Sequence, residues 1–388
     1  MFAFASYYSE PPSAMPSSVR KSKADVTSGA VPAEELQQSF PRLTLPVQPP
    51  YPPAEARSVN EIPNEPGWLY EPKWDGFRCL AFRDAKEIVL QSKAGQPLGR
   101  YFPELVAALR SLPARNFVLD GEIIITSHSH LDFNALLQRI HPAASRIKKL
   151  SLETPATYLV FDMLVNEKAK SLVSELLSSR RMALREFAKI FDGSERVKFS
   201  PATTDYSIAR RWIQQGAASG LDGVVAKRLD CEYTSGERTG MVKIKRIRTS
   251  DCVVGGFRWA QKGGEVGSLL LGLYNHEGQL DHIGFSSSFT REARKKLKSV
   301  LKPLMGGEGF TGKAPGGPSR WAREDRNTEW IPLQPKLVCE VQYDHFSGGR
   351  FRHGTKFLRW RPEKTPEQCT MEQVLPGPID SSLSKLLK

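Results

Sequence analysis

Five segments of this chain thread carboxylates and lysines through strand-forming residues, and no other feature restricts the fold as much. They are Glu71-Pro72-Lys73-Trp74-Asp75-Gly76-Phe77-Arg78, Leu119-Asp120-Gly121-Glu122-Ile123-Ile124, Tyr158-Leu159-Val160-Phe161-Asp162-Met163-Leu164, Leu221-Asp222-Gly223-Val224-Val225-Ala226-Lys227 and Met241-Val242-Lys243-Ile244-Lys245. Side chains alternate across a strand, so the last segment sets Lys243 and Lys245 on one face and their apolar neighbours on the other. Ordinary solvated faces do not explain five such runs. Asp75-Gly76 marks a tight turn that would hold the Lys73 ammonium near a fixed point. Alone, Lys-X-Asp-Gly is too short to distinguish Lys73 from a surface lysine. The ordered series that follows gives it meaning.

A chain of 388 residues is long enough for two domains, each with its own core. Residues 1–42 are rich in Ser, Ala and Pro and lack sustained apolar periodicity, which predicts a disordered tail. The repeated prolines of residues 43–66 predict an extended strap lying on a domain, without chemistry of its own. From Trp68 onward short strand-like runs follow one another, with helical spacing at residues 102–109, 133–137 and 176–190. Strands in succession without intervening helices predict an α+β fold with antiparallel sheets and flanking helices, not a doubly wound one. From Thr249 several short strands and one basic helical run at residues 291–301 predict a small β-barrel such as the OB fold. The expected division is a tail at 1–42, a first domain at 43–248 and a barrel domain at 249–388. Residues 306–318, rich in Gly and Pro, read as a mobile loop. Trp259, Trp321, Trp330 and Trp360 read as barrel core anchors, and His345 and His353 as the flanks of a turn between strands.

The chain has 55 Lys and Arg against 42 Asp and Glu, a formal charge of +13, so its surface should attract a polyanion, nucleic acid above all. Residues 249–388 hold 21 of those cations and 15 of the anions, so the positive charge is shared between both halves. The five cysteines are scattered and form no Cys-X-X-Cys pair, which argues against a disulfide framework or a zinc site. With no basic-then-apolar leader at the start and no apolar run of membrane-spanning length, the expectation is a soluble, monomeric protein of a reducing cytoplasm.

These segments resemble, in order, the motifs of the covalent nucleotidyltransferase superfamily, most closely ATP-dependent DNA ligases. The resemblance covers residues 43–370, and Phe357-Leu358-Arg359-Trp360-Arg361-Pro362-Glu363-Lys364 resembles the final motif of the OB domain. The compact build is similar to the stand-alone bacterial ligases called ligase C. The resemblance implies that Lys73 forms a lysyl-AMP intermediate from ATP and that Glu71 helps recognise adenine. Arg78 and Glu122 would hold the ribose side, Phe161 would stack on the base, and Lys93 would contact phosphate or nucleotide. Asp222, with Glu122, would bind Mg2+ or Mn2+; Lys243 and Lys245 would contact the α-phosphate; Arg361 and Lys364 would orient the departing pyrophosphate. The partner implied is nicked duplex DNA, bound through phosphates without base readout, with repair proteins beside it and roles in repair, recombination or replication. Arg291, Arg294, Lys295, Lys296 and Lys298 are candidate phosphate contacts.

The chemistry sets a demand of its own. A lysine amine of ordinary pKa, about 10.4, is almost wholly protonated near neutral pH and cannot attack phosphorus. Burial, cations such as Lys243 and Lys245, and a divalent ion would each push that pKa down. The barrel must also present its basic motif to ATP and later grip the duplex, which implies a hinge near residues 246–251. Four positions depart from the commoner family pattern: Lys93-Ala94 stands where Arg-Asn is usual, Asp222 where Glu is, and Glu363 where Asp is. They bear on efficiency, because the nucleophile and the phosphate lysines are intact. An RNA ligase or an mRNA-capping guanylyltransferase would share the lysine intermediate, and a non-catalytic OB-fold nucleic-acid-binding protein would keep only the barrel's role.

Overall fold

The computed structural model describes residues 40–127, 130–219, 221–260, 264–316 and 329–375. In chain order the first group of elements is β1 (Arg57–Val59), β2 (Trp68–Lys73), β3 (Phe77–Asp84), β4 (Glu87–Ser92), α1 (Pro103–Ser111), β5 (Asn116–Ile124), α2 (Phe133–Gln138), α3 (Ala144–Glu153), β6 (Thr157–Val165), α4 (Leu177–Ala188), β7 (Val197–Phe199), α5 (Tyr206–Ser219), β8 (Gly223–Arg228) and β9 (Met241–Lys245). The second group is β10 (Arg248–Trp259), β11 (Val266–Tyr274), β12 (Leu280–Ser286), α6 (Arg291–Leu301), β13 (Val338–Tyr343) and β14 (Lys356–Trp360).

Two sheets make the first group. One has the order β1-β9-β8-β2 and the other β4-β3-β5-β6-β7. The second sheet carries the main core, because β5 and β6 read as near-continuous apolar runs: Phe117, Leu119, Ile123, Tyr158, Val160 and Met163 are all essentially inaccessible to solvent. Asp132 caps α2 by accepting from the Ala135 N–H, which supplies one of the donors that a helix start leaves unpaired. The second group curls one antiparallel sheet, in the order β12-β11-β10-β13-β14, around Val253, Phe257, Leu271, Ile283 and Val341.

The α+β reading holds, with refinements. Not every pairing is antiparallel: β1 runs parallel to β9 and β7 parallel to β6, so both sheets of the first group are mixed. Helices α3 and α5 are not among the expected helices, and the strand-forming residues around the 119–124 segment make one continuous strand, β5. Residues 306–316 are held rather than mobile: Phe310 is buried in the second core, and the Gly309 and Gly312 N–H groups donate to Leu333 and Leu280. Trp259 is 40% exposed, not a core anchor, because it lies at the end of β10; Trp330 and Trp360 do pack on the core, and Trp321 lies outside the described residues. Of the tail expected at 1–42 only residues 40–42 are described, and Phe40 is buried beside Leu43, Leu45 and Val47. Of residues 246–251, where a hinge was expected, only 246 and 247 lie between strands, since β10 begins at Arg248 and includes Asp251.

The register of the first sheet positions the chemistry. Lys73 pairs with Gly223 and Gly223 with Lys245, while Glu71 pairs with Val225 and Val225 with Lys243, giving two rows of charges across one face. Gly223 has φ +144°, and a Cβ there would fall 2.0 Å from the Ile244 carbonyl oxygen. Only glycine allows β8 and β9 to approach this closely. Gly223→Ala is therefore expected to lose roughly 1–3 kcal/mol of stability or more in urea unfolding, from backbone strain and the clash.

Candidate active site

The two sheets of the first group face each other across a cleft of about 750 Å³, counting its open mouth. Its lining includes Glu71, Lys73, Arg78, Lys93, Glu122, Phe161 and Lys243, so seven of the residues singled out in the sequence meet in one place. Lys227 lines it as well.

At the centre the Lys73 Nζ lies 2.6 Å from the Asp222 Oδ2. The backbone brings the two residues together: the Asp222 N–H donates to the Lys73 carbonyl at 3.0 Å, and the Asp222 carbonyl accepts from the Arg246 N–H. Burial pulls the Lys73 pKa down, but Asp222, Glu122 and Asp75 outweigh it and hold the amine above the ordinary lysine value. The depressed amine expected from the sequence is thus reversed in this state, because the nearest charges are carboxylates rather than Lys243 and Lys245. Lys243 carries the downward shift instead, through burial and then through Lys73, Lys93, Lys245 and Arg238.

At the inner end Glu71 accepts from the Lys227 Nζ at 2.7 Å through Oε2, while its Oε1 is buried without a hydrogen-bond partner. A buried acceptor left open costs free energy unless a ligand donor fills it, and an exocyclic amino group of a purine is such a donor. The Phe161 ring is 6% exposed, with the Arg78 guanidinium 4.5 Å and the Lys227 Nζ 4.2 Å from its centroid. Arg78 is fixed by a bidentate pair with Asp120, at 2.6 and 2.5 Å, and Asp120 also accepts from the Tyr233 hydroxyl at 2.7 Å.

Glu55, in the strap, pairs with Lys93 at 3.0 Å and with Arg238 at 3.1 Å. The strap therefore forms one wall of the cleft through residues 53–56, a role its proline-rich sequence did not signal. Lys227, Asp120 and Tyr233 were also missed. Lys227 and Asp120 stand within the charged segments, but nothing there separates a ligand contact from a structural ion pair.

Three of the expected residues are elsewhere. Lys245 lies in the row of Lys73 but outside the cleft lining, and its Nζ is 3.3 Å from Asp344 of the second group. Arg361 and Lys364 both bind Asp251, each at 2.8 Å, and Arg361 also binds Glu363 at 2.6 Å. They stand apart from the cleft because β14 lies at the edge of the curled sheet. The turn between Phe346 and Phe351 is the hairpin expected near His345 and His353, yet it does more than reverse the chain. Beside it Arg352 binds Asp75 with both guanidinium nitrogens, at 2.8 and 2.9 Å, and His345 sits 3.4 Å from the same carboxylate. Arg352 also lies 3.8 Å over the Phe133 ring. The second group thus grips the turn that carries Lys73.

Among the described residues no group of three His, Cys, Asp or Glu gathers into a ready-made metal cage. Asp222 and Glu122 both act on Lys73, and an oxygen pair of this kind suits a hard divalent cation that completes its shell with phosphate oxygens and water. Burial pushes the Glu122 carboxyl up to about 7, against the pull of Arg78 and Lys73. Ionising it therefore opposes folding: its contribution is whole below the ordinary carboxylate range and is lost as pH rises through about 7. Glu122→Gln should gain stability relative to the unchanged protein, by on the order of 3 kcal/mol between about pH 4 and pH 8 in urea titrations. A gap that does not move with pH would refute this shift.

The comparisons with known proteins agree with this geometry. Residues 53–245 match the ATP dependent DNA ligase domain and residues 262–364 the ATP dependent DNA ligase C terminal region. The chain is 44% identical to DNA ligase C1 of Mycolicibacterium smegmatis over 356 residues, covering 89% of this chain and 99% of that protein. It is 41% identical to DNA ligase C of Mycobacterium tuberculosis over 359 residues, again 89% and 99%. The solved structure Pmar-Lig_Pre, at 16% identity and TM-score 0.53 over 80% of this chain and 67% of that one, is similar in fold. With matches that span both halves and two relatives above 40% identity over nearly their whole length, this chain belongs to the ATP-dependent DNA ligases, in the ligase C family.

Proposed function

We propose that Lys73 is the nucleophile of a three-step sealing reaction on nicked duplex DNA, and that the cleft around it binds ATP. The observation that carries this reading is the meeting of Lys73, Asp222, Glu71, Glu122 and Phe161 at a single site drawn from four separate segments. The Lys73 amine attacks the α-phosphorus, a P–N bond forms, the bond to the β-phosphate oxygen breaks, and pyrophosphate leaves. AMP then passes to the 5′-phosphate of the nick, and the 3′-hydroxyl displaces it to close the strand. Glu71 takes the base edge, Arg78 and Glu122 the ribose side, and Lys243 with Lys93 the phosphates. A divalent cation held by Asp222 and Glu122, Mg2+ or Mn2+, would draw the Asp222 charge away from Lys73 and offset the charge of the departing pyrophosphate. Burial and Lys243 are then left to lower the amine's proton affinity.

Residues 43–248 act as the adenylation domain and 249–388 as the OB domain. The docking of Arg352 on Asp75, with Arg361 and Lys364 turned to Asp251, supports reading this arrangement as the one used on the nick. Rotation about residues 246 and 247 would bring Arg361 and Lys364 to the pyrophosphate in the first step. Lys295, Lys296 and Lys298 on α6 are candidates to hold the duplex backbone. We read the enzyme as a monomer of the bacterial cytoplasm or nucleoid that works in DNA repair. Among the described residues no helix is long and apolar enough to cross a membrane.

Protein incubated with ATP labelled at the α-phosphate and Mg2+ should acquire a covalent label that Lys73→Ala abolishes. A wild-type chain that takes no label after pyrophosphate treatment would sink the assignment. Arg352→Ala should slow sealing of a pre-adenylated nick by about tenfold or more, equivalent to about 1.4 kcal/mol of lost docking, while labelling changes less than about twofold. Equal loss in both steps would remove the step-specific role. A panel of DNA, RNA and hybrid nicks reads out the preferred substrate.

A further inference from the structure

Helix α4 carries two consecutive arginines on its buried face, in line with Leu177, Leu184 and Phe187. Arg180 forms a bidentate pair with Asp162, at 2.9 Å for each bond. Arg181 does something different. Its Nη1 donates to the Phe161 carbonyl at 2.9 Å and its Nη2 to the Ser200 carbonyl at 3.1 Å, while the guanidinium lies 4.4 Å over the Phe199 ring. The Ser200 hydroxyl in turn accepts from the Trp74 indole N–H at 2.9 Å, next to Lys73. The Arg181 Nη1 also stands 3.7 Å from the Glu71 Oε1, near enough to attract it and too far to hydrogen-bond. With the other carboxylate oxygen bound to Lys227, Glu71 is held between two cations and keeps one oxygen open.

We propose that Arg181 is a positioning residue that fixes Glu71 and the Phe161 backbone so that the open Oε1 accepts from the base, giving the cleft its preference for adenine over guanine. This rests on the nucleotide reading of the cleft given above. The logic is one of donors and acceptors. An ionised carboxylate only accepts, so it suits the exocyclic amino group of adenine and meets the guanine 6-oxygen lone pair to lone pair. Discrimination then depends on where Oε1 sits. Without Arg181 the carboxylate is free to turn both oxygens toward Lys227, and the base edge loses its fixed acceptor. Lysine at position 181 would keep the charge but lose the fork that spans two carbonyls.

The test is the ratio of lysyl-nucleotide formation rates with α-labelled ATP and α-labelled GTP, measured on the full chain as kcat/KM. A ratio is independent of the fraction of correctly folded molecules, so a destabilised variant still reports. Arg181→Met should lower the ATP:GTP ratio at least tenfold, chiefly through a higher KM for ATP, and Arg181→Lys should restore part of it. Arg180→Met, which loosens Asp162 instead, should leave the ratio within about threefold of wild type. An unchanged ratio in Arg181→Met, with both nucleotides slowed alike, would overturn the proposal and leave the ligase assignment standing. A wild-type chain that takes neither label overturns both.

Discussion

The active cleft depends on one backbone contact, the Asp222 N–H donating to the carbonyl of Lys73. It extends the seam between β2 and β8 by one residue and so holds Asp222 beside Lys73, where their side chains meet at 2.6 Å. Gly223 makes the seam possible by removing the side chain between Lys73 and Lys245 in their shared row. The result is a lysine held firmly in its protonated form. Under the proposed reaction Asp222 must be given something else to bind before the amine can attack, which ties that chemistry to the arrival of the nucleotide's own charges.

The rest of the cleft shows how few charges are left to chance. Arg78 is backed by Asp120, and Asp120 by Tyr233; Glu71 is backed by Lys227 and Arg181. These buried charges have partners, as the cost of desolvation demands. The Glu71 Oε1 and the raised Glu122 carboxyl stand out because they are costly as they are and relieved by a ligand. Sites of this kind trade folding free energy for a preformed pocket.

Much of this was legible in the sequence because the chemistry sits on strands. Alternation placed Lys243 and Lys245 on a common face, and the acid-glycine segments announced Asp222 and Glu122 among strand-forming residues. What could not be read was which charge neutralises which. The carboxylate nearest Lys73 comes from a segment 149 residues away, and that contact reversed the expected direction of the lysine's pKa. Arg181 was hidden differently: an arginine on the buried stripe of a helix is visible as an anomaly, but its partners come from β2, β6 and the end of β7. The position of Arg361 and Lys364 depends on how the second domain sits, which local sequence does not encode.

The strap has a practical consequence for anyone trimming this enzyme. Because residues 53–56 wall the cleft while Phe40, Leu43, Leu45 and Val47 anchor the same segment to the core, the catalytic unit starts well before its first strand. A fragment cut at Arg57 would retain every strand and helix among the described residues and still open the flank of the cleft to water. Shortened versions of such an enzyme should keep the strap from Phe40 to Ala56, counting it as part of the folded domain rather than as a leader.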